Sequence, residues 1–317
     1  MRSKLVFVGF VLAVLLALPL VATAETIVTA TFADGKGTSA APVIDVVDAF
    51  TGMGGNGWEA GWTKLKGGSS SEDHAVLGEG DTGYVELVDA NYLQYRFNTA
   101  SGSTRHSCIY RDYADGGLIN PAADHSIEFT IRIMENLTTN RFNGKDDRYD
   151  IHDRQFAGSS YTYASAESTW GISVVGNVKE WQIKSVNYDE QGVATDVSTG
   201  TGITISQNTP LSFKLDFNMS AGSNGTFDVT ITSGETEMYS GTGFGLGKAP
   251  NGVGGPYERE TTGRLLFTGF ANNDSSEGTN YRNWDLDDIR ITQIPEPTAL
   301  AMILGLALAA VGVRRRK

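Results

Sequence analysis

The sequence predicts an all-β domain, an antiparallel β-sandwich of jelly-roll type, and three observations support this fold class. Glycine is abundant and proline is sparse, with 38 and 8 residues in a chain of 317, a composition that favours many short strands joined by turns. Apolar and polar residues alternate along several segments, so each of these strands buries one face. No segment between the two ends of the chain has convincing helical periodicity. Two sheets that each bury one face must pack against each other.

The alternation is clearest in the middle of the chain. The run Ser126–Met134 alternates without interruption, with isoleucine or phenylalanine at every second position. Leu211–Phe217 and Phe227–Ile231 alternate in the same way on either side of the polar segment Ser220–Gly225, which predicts a hairpin with a longer loop. Further strands are predicted at Thr26–Phe32, Tyr84–Val88, Tyr92–Phe97, Trp170–Val175, Glu180–Val186, Leu265–Phe270 and Trp284–Thr292.

Two segments break this rhythm. Residues 135–169 are polar and rich in charge, and structureless stretches of that length are uncommon inside compact domains. We therefore expect a long loop or an insertion there, and a second flexible stretch at Gly241–Gly255. The first segment contains an acidic cluster that we interpret as a solvated loop, because its spacing does not match a calcium-binding EF-hand. The cluster consists of Asp146, Asp147, Asp150 and Asp153, with His152 among them.

The N-terminal segment has the layout of a secretory signal peptide. Two basic residues precede an apolar run over residues 5–21, and the small-x-small sequence Ala22-Thr23-Ala24 follows. Such a segment forms a helix that directs export, and signal peptidase removes it. We expect residues 1–24 to be this signal peptide, with cleavage after Ala24.

The C-terminal segment has three parts. Pro295-Glu296-Pro297 comes first, then an uncharged apolar run from Thr298 to Val313, then Arg314-Arg315-Arg316-Lys317. The two prolines remove amide donors and favour an extended backbone, as a protease substrate requires. The apolar run is slightly shorter than the roughly 20 residues that span a bilayer, and we predict a transmembrane helix there. The terminal cations hold the C-terminus on the cytoplasmic side.

This tripartite tail, residues 294–317, resembles the PEP-CTERM sorting signal of Gram-negative bacteria that make exopolysaccharide. The resemblance implies recognition and cleavage near the PEP residues by a membrane protease of the exosortase type. It also implies export through the inner membrane, tethering by the C-terminal helix, and later release to the cell surface or extracellular matrix. An ordinary C-terminal anchor with a proline-rich stalk is the alternative interpretation.

The body, residues 25–293, is similar to the concanavalin-like lectin and glucanase fold, which includes laminin-G-like domains. Four segments carry the similarity, and the last of them reads like the closing strand of many surface jelly rolls. They are Ser126–Met134, Trp170–Val186, Leu211–Ile231 and Trp284–Thr292. The similarity lies in the pattern of strands, not in signature residues.

The net charge limits the classes of binding partner, and the cysteine content indicates what stabilises the domain. The formal charge is −12, and it becomes −18 without the six cations of the two ends. Such a surface repels nucleic acid and anionic lipid and is compatible with neutral glycans. Cys108 is the single cysteine, so no internal disulfide holds the domain together and the stability must come from a core.

The closing strand carries a candidate metal site. Apolar residues occupy one parity up to Leu286 and the other parity from Ile289 onwards. The phase slips at Asp287-Asp288, which predicts a β-bulge. Two adjacent carboxylates at a bulge can contribute to a calcium site together with loop carbonyls, and the jelly-roll resemblance implies calcium as well. The alternative is a solvated acidic edge that blocks strand addition.

Tryptophan provides the candidate sugar contacts. Trp58 lies within the glycine-rich stretch 52–61 and Trp62 directly after it; we expect exposure there, and an exposed indole can stack on a sugar ring. The other three tryptophans are interpreted as packing residues. They are Trp170, Trp181 and Trp284.

Signatures of catalysis are missing from the sequence. No strand has the Glu-x-Asp-x-x-Glu pattern of retaining glucanases, no G-x-S-x-G elbow occurs, and the four histidines have no metal-ligand spacing. We therefore expect an exported, exosortase-sorted, non-catalytic surface or matrix protein that contacts exopolysaccharide or another envelope glycan. The alternatives are a glycan-processing enzyme of the concanavalin-like class and a purely structural matrix component.

Overall fold

The computed structural model describes residues 26–30, 32, 55–58, 61–67, 71–78, 87, 91–99, 105–113, 118–133, 148–153, 168–176, 178–189, 194–206, 208–222, 224–247, 263–271 and 280–293. Within these residues the chain forms fifteen strands and no helix. The strands are β1 (Thr26–Ala30), β2 (Thr63–Gly67), β3 (Ser71–Gly78), β4 (Asn91–Thr99), β5 (Arg105–Asp112), β6 (His125–Ile133), β7 (Arg148–His152), β8 (Gly171–Val175), β9 (Glu180–Tyr188), β10 (Ala194–Thr204), β11 (Pro210–Asn218), β12 (Thr226–Ser233), β13 (Thr236–Gly245), β14 (Arg264–Ala271) and β15 (Asn280–Gln293).

The strands form two antiparallel sheets. The eight-stranded sheet has the order β13-β12-β11-β6-β15-β4-β3, and β1 also pairs with β15. The seven-stranded sheet has the order β10-β9-β8-β7-β14-β5-β2. Many of these pairs join strands that are far apart in sequence, as in β14 with β5 and β15 with β4. The fold therefore depends on long-range pairing.

A single hydrophobic core lies between the two sheets and draws residues from both. In β9, β11 and β12 the apolar parity points inward, and aromatic rings from opposite sheets meet in the core. Phe129 meets Phe267 with ring centroids 5.6 Å apart, and Trp181 meets Phe213 at 5.1 Å. These contacts make the body a β-sandwich, as the alternating pattern predicts, and they are consistent with the concanavalin-like jelly roll.

The closing strand β15 lies at the centre of the eight-stranded sheet. It pairs with β6 along one edge, while β4 and β1 share its other edge end to end. The register with β6 shifts between Asp287 and Arg290, and Asp288 has a φ of 47°. The β-bulge predicted from the parity slip is therefore confirmed at the predicted residues.

The strongest strand predictions are confirmed. Ser126–Met134 corresponds to β6, and the predicted hairpin corresponds to β11 and β12, which pair across the loop between them. The candidate strand Tyr84–Val88 lies outside the described residues apart from Leu87. The signal segment and the C-terminal tail also lie outside them. In the part of the chain that the structure describes, no helix is both long and apolar enough to cross a membrane.

Two loop predictions are wrong in part. The segment 135–169 contains β7, a strand between β14 and β8 in the seven-stranded sheet. Its Asp150 and His152 are buried, as is Asp153, so these members of the acidic cluster are not in a solvated loop. Likewise, β13 occupies the first residues of the stretch Gly241–Gly255 as an edge strand.

Candidate binding cleft on the seven-stranded sheet

The outer face of the seven-stranded sheet, which points away from the core, carries a group of polar side chains on four neighbouring strands. Along β7, β8 and β9 every second residue packs into the core, as Ile151, Ile172 and Ile183 do. Because side chains alternate across a strand, the residues between them point outward. The outer face of this part of the sheet is thus built from β7, β8, β9 and β10.

These outward residues line a cleft of about 210 Å³. The lining combines cations, carboxylates, hydroxyl groups and one histidine, and residues that precede β8 form one wall. The lining residues are Arg148, Asp150, Ile151, His152, Ser168, Thr169, Trp170, Gly171, Ile172, Ser173, Val175, Lys184, Ser185, Val186, Asp196, Val197 and Ser198.

A glycine forms part of the cleft floor. Gly171 lies directly opposite His152 on β7 and opposite Lys184 on β9. A Cβ atom at residue 171 would lie 3.4 Å from the Lys184 Cβ and 3.6 Å from the His152 Cβ. The missing side chain therefore leaves a space above the backbone between His152 and Lys184. A glycine inside a strand often marks a site where a ligand or another backbone approaches closely.

The next row of the sheet contains a buried hydroxyl. Ser173 lies opposite Asp150 on β7 and opposite Gln182 on β9. It is 1% exposed, and its Oγ atom has no hydrogen-bond partner. A buried polar group without a partner costs roughly 1–3 kcal/mol, and such groups are rare in native proteins. A ligand hydroxyl in the cleft would satisfy it.

The charges in the cleft are balanced. Arg148 Nε lies 3.3 Å from Asp150 Oδ2. Lys184 Nζ donates to Ser198 Oγ at 2.5 Å and to Gln182 Oε1 at 3.3 Å. Burial lowers the pKa of Lys184, and the Arg148 cation adds to this, while attraction to Asp150 and Asp196 opposes it. Two cations and two carboxylates therefore face one another across the cleft.

A buried carboxylate fixes the wall. Asp153 accepts hydrogen bonds from the Thr169 backbone N–H at 2.8 Å and from the Thr169 hydroxyl. The Thr169 carbonyl in turn accepts from Gly247 N at 2.8 Å. Burial raises the pKa of Asp153 from its ordinary 3.8 to about 6, against the lowering effect of the hydrogen bonds from Thr169 and Trp170. The wall is thus anchored to the end of β7 and to the segment after β13.

The outer face of the eight-stranded sheet carries a different polar cluster. Arg132 on β6 donates from Nε and Nη2 to Asp285 Oδ2 on β15, at 2.9 and 2.7 Å. Gln94 on β4 donates to Asp285 Oδ1 at 3.2 Å, and the Arg132 guanidinium lies over the Tyr92 ring. All four residues are buried. Because the charges compensate each other, this cluster is a structural ion pair.

The two tryptophans proposed to stack on sugar are not exposed as expected. Trp62 is 7% exposed and packs against Trp58 and Phe267, with centroids 6.1 and 6.2 Å apart. Trp58 is half-buried, donates from Nε1 to the Thr29 carbonyl and lies under the Arg111 guanidinium. The expected exposure of Trp62 is wrong, because its indole belongs to the core. The other three tryptophans are buried, as predicted: Trp170, Trp181 and Trp284.

The candidate calcium residues lie at the bulge of β15. Asp287 is fully buried and Asp288 half-buried, and Asp287 Oδ1 accepts a hydrogen bond from Asp288 N at 2.8 Å. Among the described residues, no three or more histidine, cysteine, aspartate or glutamate side chains are grouped as a metal ion requires. Calcium binding at this pair stays a prediction.

Neither the cleft nor its residues were predicted from the sequence. Its side chains come from four strands spread over 148–198, without a local motif. The signal that was available is Gly171, which stands in an otherwise β-forming run, Gly171–Val175. The predicted processing residues lie outside the described residues. They are Ala22 and Ala24 at the signal cleavage site, and Pro295, Glu296, Pro297, Arg314, Arg315 and Arg316 in the tail.

Comparison with known proteins finds solved structures that are similar to this chain at low identity. No curated protein matches the chain by sequence. Endo-β-1,4-glucuronan lyase from Trichoderma reesei is 12% identical over 75% of this chain and 92% of that chain, with a TM-score of 0.47. The alginate lyase from Aplysia kurodai is 11% identical over 84% and 98%, with a TM-score of 0.46. The globular domain of T. cruzi calreticulin is 11% identical over 76% and 87%, with a TM-score of 0.38.

The tail gives the specific match. Residues 293–317 match the model of the PEP-CTERM protein-sorting motif, and they include the proline pair at 295–297 and the basic residues 314–317. This motif implies export and exosortase-mediated sorting to the surface of a bacterial cell. The chain therefore carries a PEP-CTERM sorting signal in its last 25 residues.

Proposed function

We propose that this exported, sorted protein binds a glycan of the cell envelope, such as exopolysaccharide, through the cleft on its seven-stranded sheet, and does not process it. The source is a Gram-negative bacterium. After signal peptidase acts, the C-terminal helix holds the protein in the inner membrane, and exosortase cleavage then delivers it to the cell surface or to the extracellular matrix of a biofilm.

One observation carries the binding proposal: the unpartnered, buried Ser173 hydroxyl in a cleft lined by further donors and acceptors. Sugars present many hydroxyl groups, and a site built to bind them needs donors and acceptors placed close together. Ser173 and Ser198 supply hydroxyls, Lys184 supplies a donor, and Asp196 supplies acceptors. The shape and chemistry of the cleft suit a polyhydroxylated ligand better than an apolar one.

A glycan array and direct titration with the exopolysaccharide of the source bacterium test the proposal. We expect the full-length protein to bind at least one envelope glycan, and Ser173→Ala to weaken that binding. Ser240→Ala on the exposed edge strand β13 is the control, since residue 240 is outside the cleft, and it should bind like the unmodified protein. Absence of binding to any envelope glycan would favour a purely structural matrix component.

A glycan-processing enzyme is the second candidate, and a specific observation favours it. A lysine whose pKa is lowered by burial stands across Gly171 from a histidine in the same cleft, and perturbed groups in clefts are candidate general bases. Incubation with the host polysaccharide, followed by assay of reducing ends and of unsaturated products, separates the two. Product release that is abolished in Lys184→Met or His152→Ala would replace the binding proposal with catalysis.

A further inference from the structure

We propose that the cleft takes a single uncharged sugar unit, at the end of a glycan chain or of a side branch, seated over Gly171. This inference rests on the proposed function and deepens it, because it names the class of ligand and the part of the glycan that is recognised. Three properties of the cleft support it: its size, its charge balance and its glycine floor.

The size of the cleft favours one unit. Pockets for drug-sized ligands measure about 300–1,000 Å³, while this cleft measures about 210 Å³. Ser168, Thr169 and Trp170 form one wall, and Thr169 is held in place by Asp153 and Gly247. A terminal unit, at the end of a chain or of a side branch, has a single glycosidic link, so it needs the least room for neighbouring units beyond this wall.

The charge balance favours an uncharged unit. Arg148 is paired with Asp150 at 3.3 Å, and Lys184 interacts electrostatically with both Asp150 and Asp196. The ionised lining groups therefore compensate each other and attract neither an anionic nor a cationic ligand. The chain as a whole has a formal charge of −12, which repels a polyanion at long range. A uronic or sulfated unit would gain nothing to offset that repulsion.

The glycine floor provides the seat. A Cβ atom at residue 171 would meet the Cβ atoms of Lys184 and His152 at ordinary contact distances, 3.4 and 3.6 Å. Larger side chains at this position would therefore point into the cleft and fill it without displacing the backbone. In the next row of the sheet stands the Ser173 hydroxyl, which has no partner and can receive a hydroxyl of the bound unit.

Competition experiments with the full-length protein test the inference. Binding to immobilised host exopolysaccharide is measured with free neutral monosaccharides and with the matching uronic acids as competitors, at low and at high salt. We expect a neutral monosaccharide to compete, the uronic acids to compete poorly, and salt to have little effect, because no charge pairs form. Gly171→Val should reduce binding by about tenfold or more, while Ser240→Val on β13 should not. Thermal unfolding of both variants checks that each is folded.

The outcomes are distinguishable. Preferential competition by uronic acids, with binding that weakens as salt rises, would overturn the inference and leave the proposed function intact. Competition by oligosaccharides but by no monosaccharide would overturn the single-unit claim. Undiminished binding by a folded Gly171→Val variant would place the ligand elsewhere and overturn the inference too. If the unmodified protein binds no glycan at all, the proposed function itself fails, and the inference fails with it.

Discussion

Asp153 and Thr169 form a doubly hydrogen-bonded pair in which one buried carboxylate accepts from both the backbone N–H and the hydroxyl of the threonine. The pair joins the end of β7 to the start of β8 and so shapes the wall of the cleft. Because burial raises the pKa of Asp153 to about 6, the charge of this carboxylate changes near that pH.

The first prediction concerns pH and stability. The pKa of Asp153 is raised on folding from 3.8 to about 6, so the folded state binds the proton more tightly. The stability that this proton contributes is fully present below pH 3.8 and is lost as the pH rises through about 6. The difference amounts to about 3 kcal/mol at 1.36 kcal/mol per pKa unit. About 1.4 kcal/mol of this difference falls between pH 5 and pH 7.5, so chemical denaturation at these two pH values should show a smaller fall in unfolding free energy for Asp153→Asn than for the unmodified protein.

The control for this experiment is Ser240→Ala, since Ser240 is exposed and its substitution removes no ionisable group, so the pH dependence should stay that of the unmodified protein. If Asp153→Asn and the unmodified protein lose the same stability between the two pH values, the raised pKa of Asp153 does not contribute to the pH dependence of the unfolding free energy.

The second prediction concerns the ion pair on the eight-stranded sheet. Arg132→Met leaves the buried Asp285 carboxylate uncompensated, which typically costs about 3–5 kcal/mol. Lys214→Met is the matched control, because Lys214 pairs with Asp216 at 3.2 Å on the same sheet but both are exposed, 48% and 39%. An exposed pair is worth about 0–1 kcal/mol. Urea unfolding of both variants makes the comparison.

A double variant sharpens the second prediction. Replacement of both partners, Arg132→Met with Asp285→Leu, removes the uncompensated charge and should recover most of the lost stability. Equal destabilisation by Arg132→Met and Lys214→Met would show that the buried pair carries no special cost.

The third prediction concerns Trp62. Because the indole is part of the core and contacts Phe32 and Phe267, Trp62→Ala should destabilise the protein by about 3–5 kcal/mol. Met238→Ala at a 49% exposed position should change stability by less than about 0.5 kcal/mol. Thermal or urea unfolding measures both. A Trp62→Ala variant as stable as the unmodified protein would restore the idea that Trp62 serves a ligand instead of the core.

The fourth prediction concerns the bulge in β15. Asp288 has a φ of 47°, a left-handed conformation that aspartate tolerates and a β-branched residue does not. Asp288→Val should therefore cost about 1–2 kcal/mol. Arg290→Val, two residues further on and exposed, should be nearly neutral, and unfolding curves of the two variants provide the test. Equal stability would mean that residue 288 carries no backbone constraint.

Calorimetric titration with calcium tests whether the same bulge binds a metal ion. Heat released by the unmodified protein and absent in an Asp287→Ala/Asp288→Ala variant would support the predicted site. No heat in either protein would end that prediction.

The strands that sequence predicted best are those with one clean apolar face. In β6 and β11 the isoleucine, leucine and phenylalanine residues face the core and the polar residues alternate with them, so the period of two is visible without the structure. The bulge at Asp287-Asp288 was predictable for the same reason, since a slip in parity has one simple explanation.

The strand β7 was missed because it is only five residues long and lies inside a long polar segment. Arg148–His152 contains two apolar residues, Tyr149 and Ile151, and a run of five with so few apolar positions reads as a loop. The edge strand β13 was missed because all of its residues are exposed or half-buried, so it has no buried face. In β7 the alternation is present but covers only two apolar residues, too few to distinguish a strand from a polar loop.

The cleft could not be predicted from the sequence, because its residues become neighbours only through the order in which the strands pair. Asp150, Ser173 and Gln182 become neighbours when β7, β8 and β9 pair in this register, and nothing in the local sequence fixes that register. The predicted exposure of Trp62 was wrong for a related reason. Glycine-rich surroundings suggest exposure, whereas long-range packing against Phe267 buries Trp62.

Glycan binding in the cleft is tested by equilibrium binding of the bacterium's own exopolysaccharide to three proteins: the unmodified chain, Lys184→Met and Lys214→Met. Lys184 stands in the cleft and Lys214 on the other sheet, so the two substitutions remove the same charge at different places. We expect Lys184→Met to weaken binding about tenfold or more, because a hydrogen bond to a charged group is lost, and Lys214→Met to leave binding unchanged. Equal affinity of all three proteins, or no affinity in any, would contradict glycan binding in the cleft.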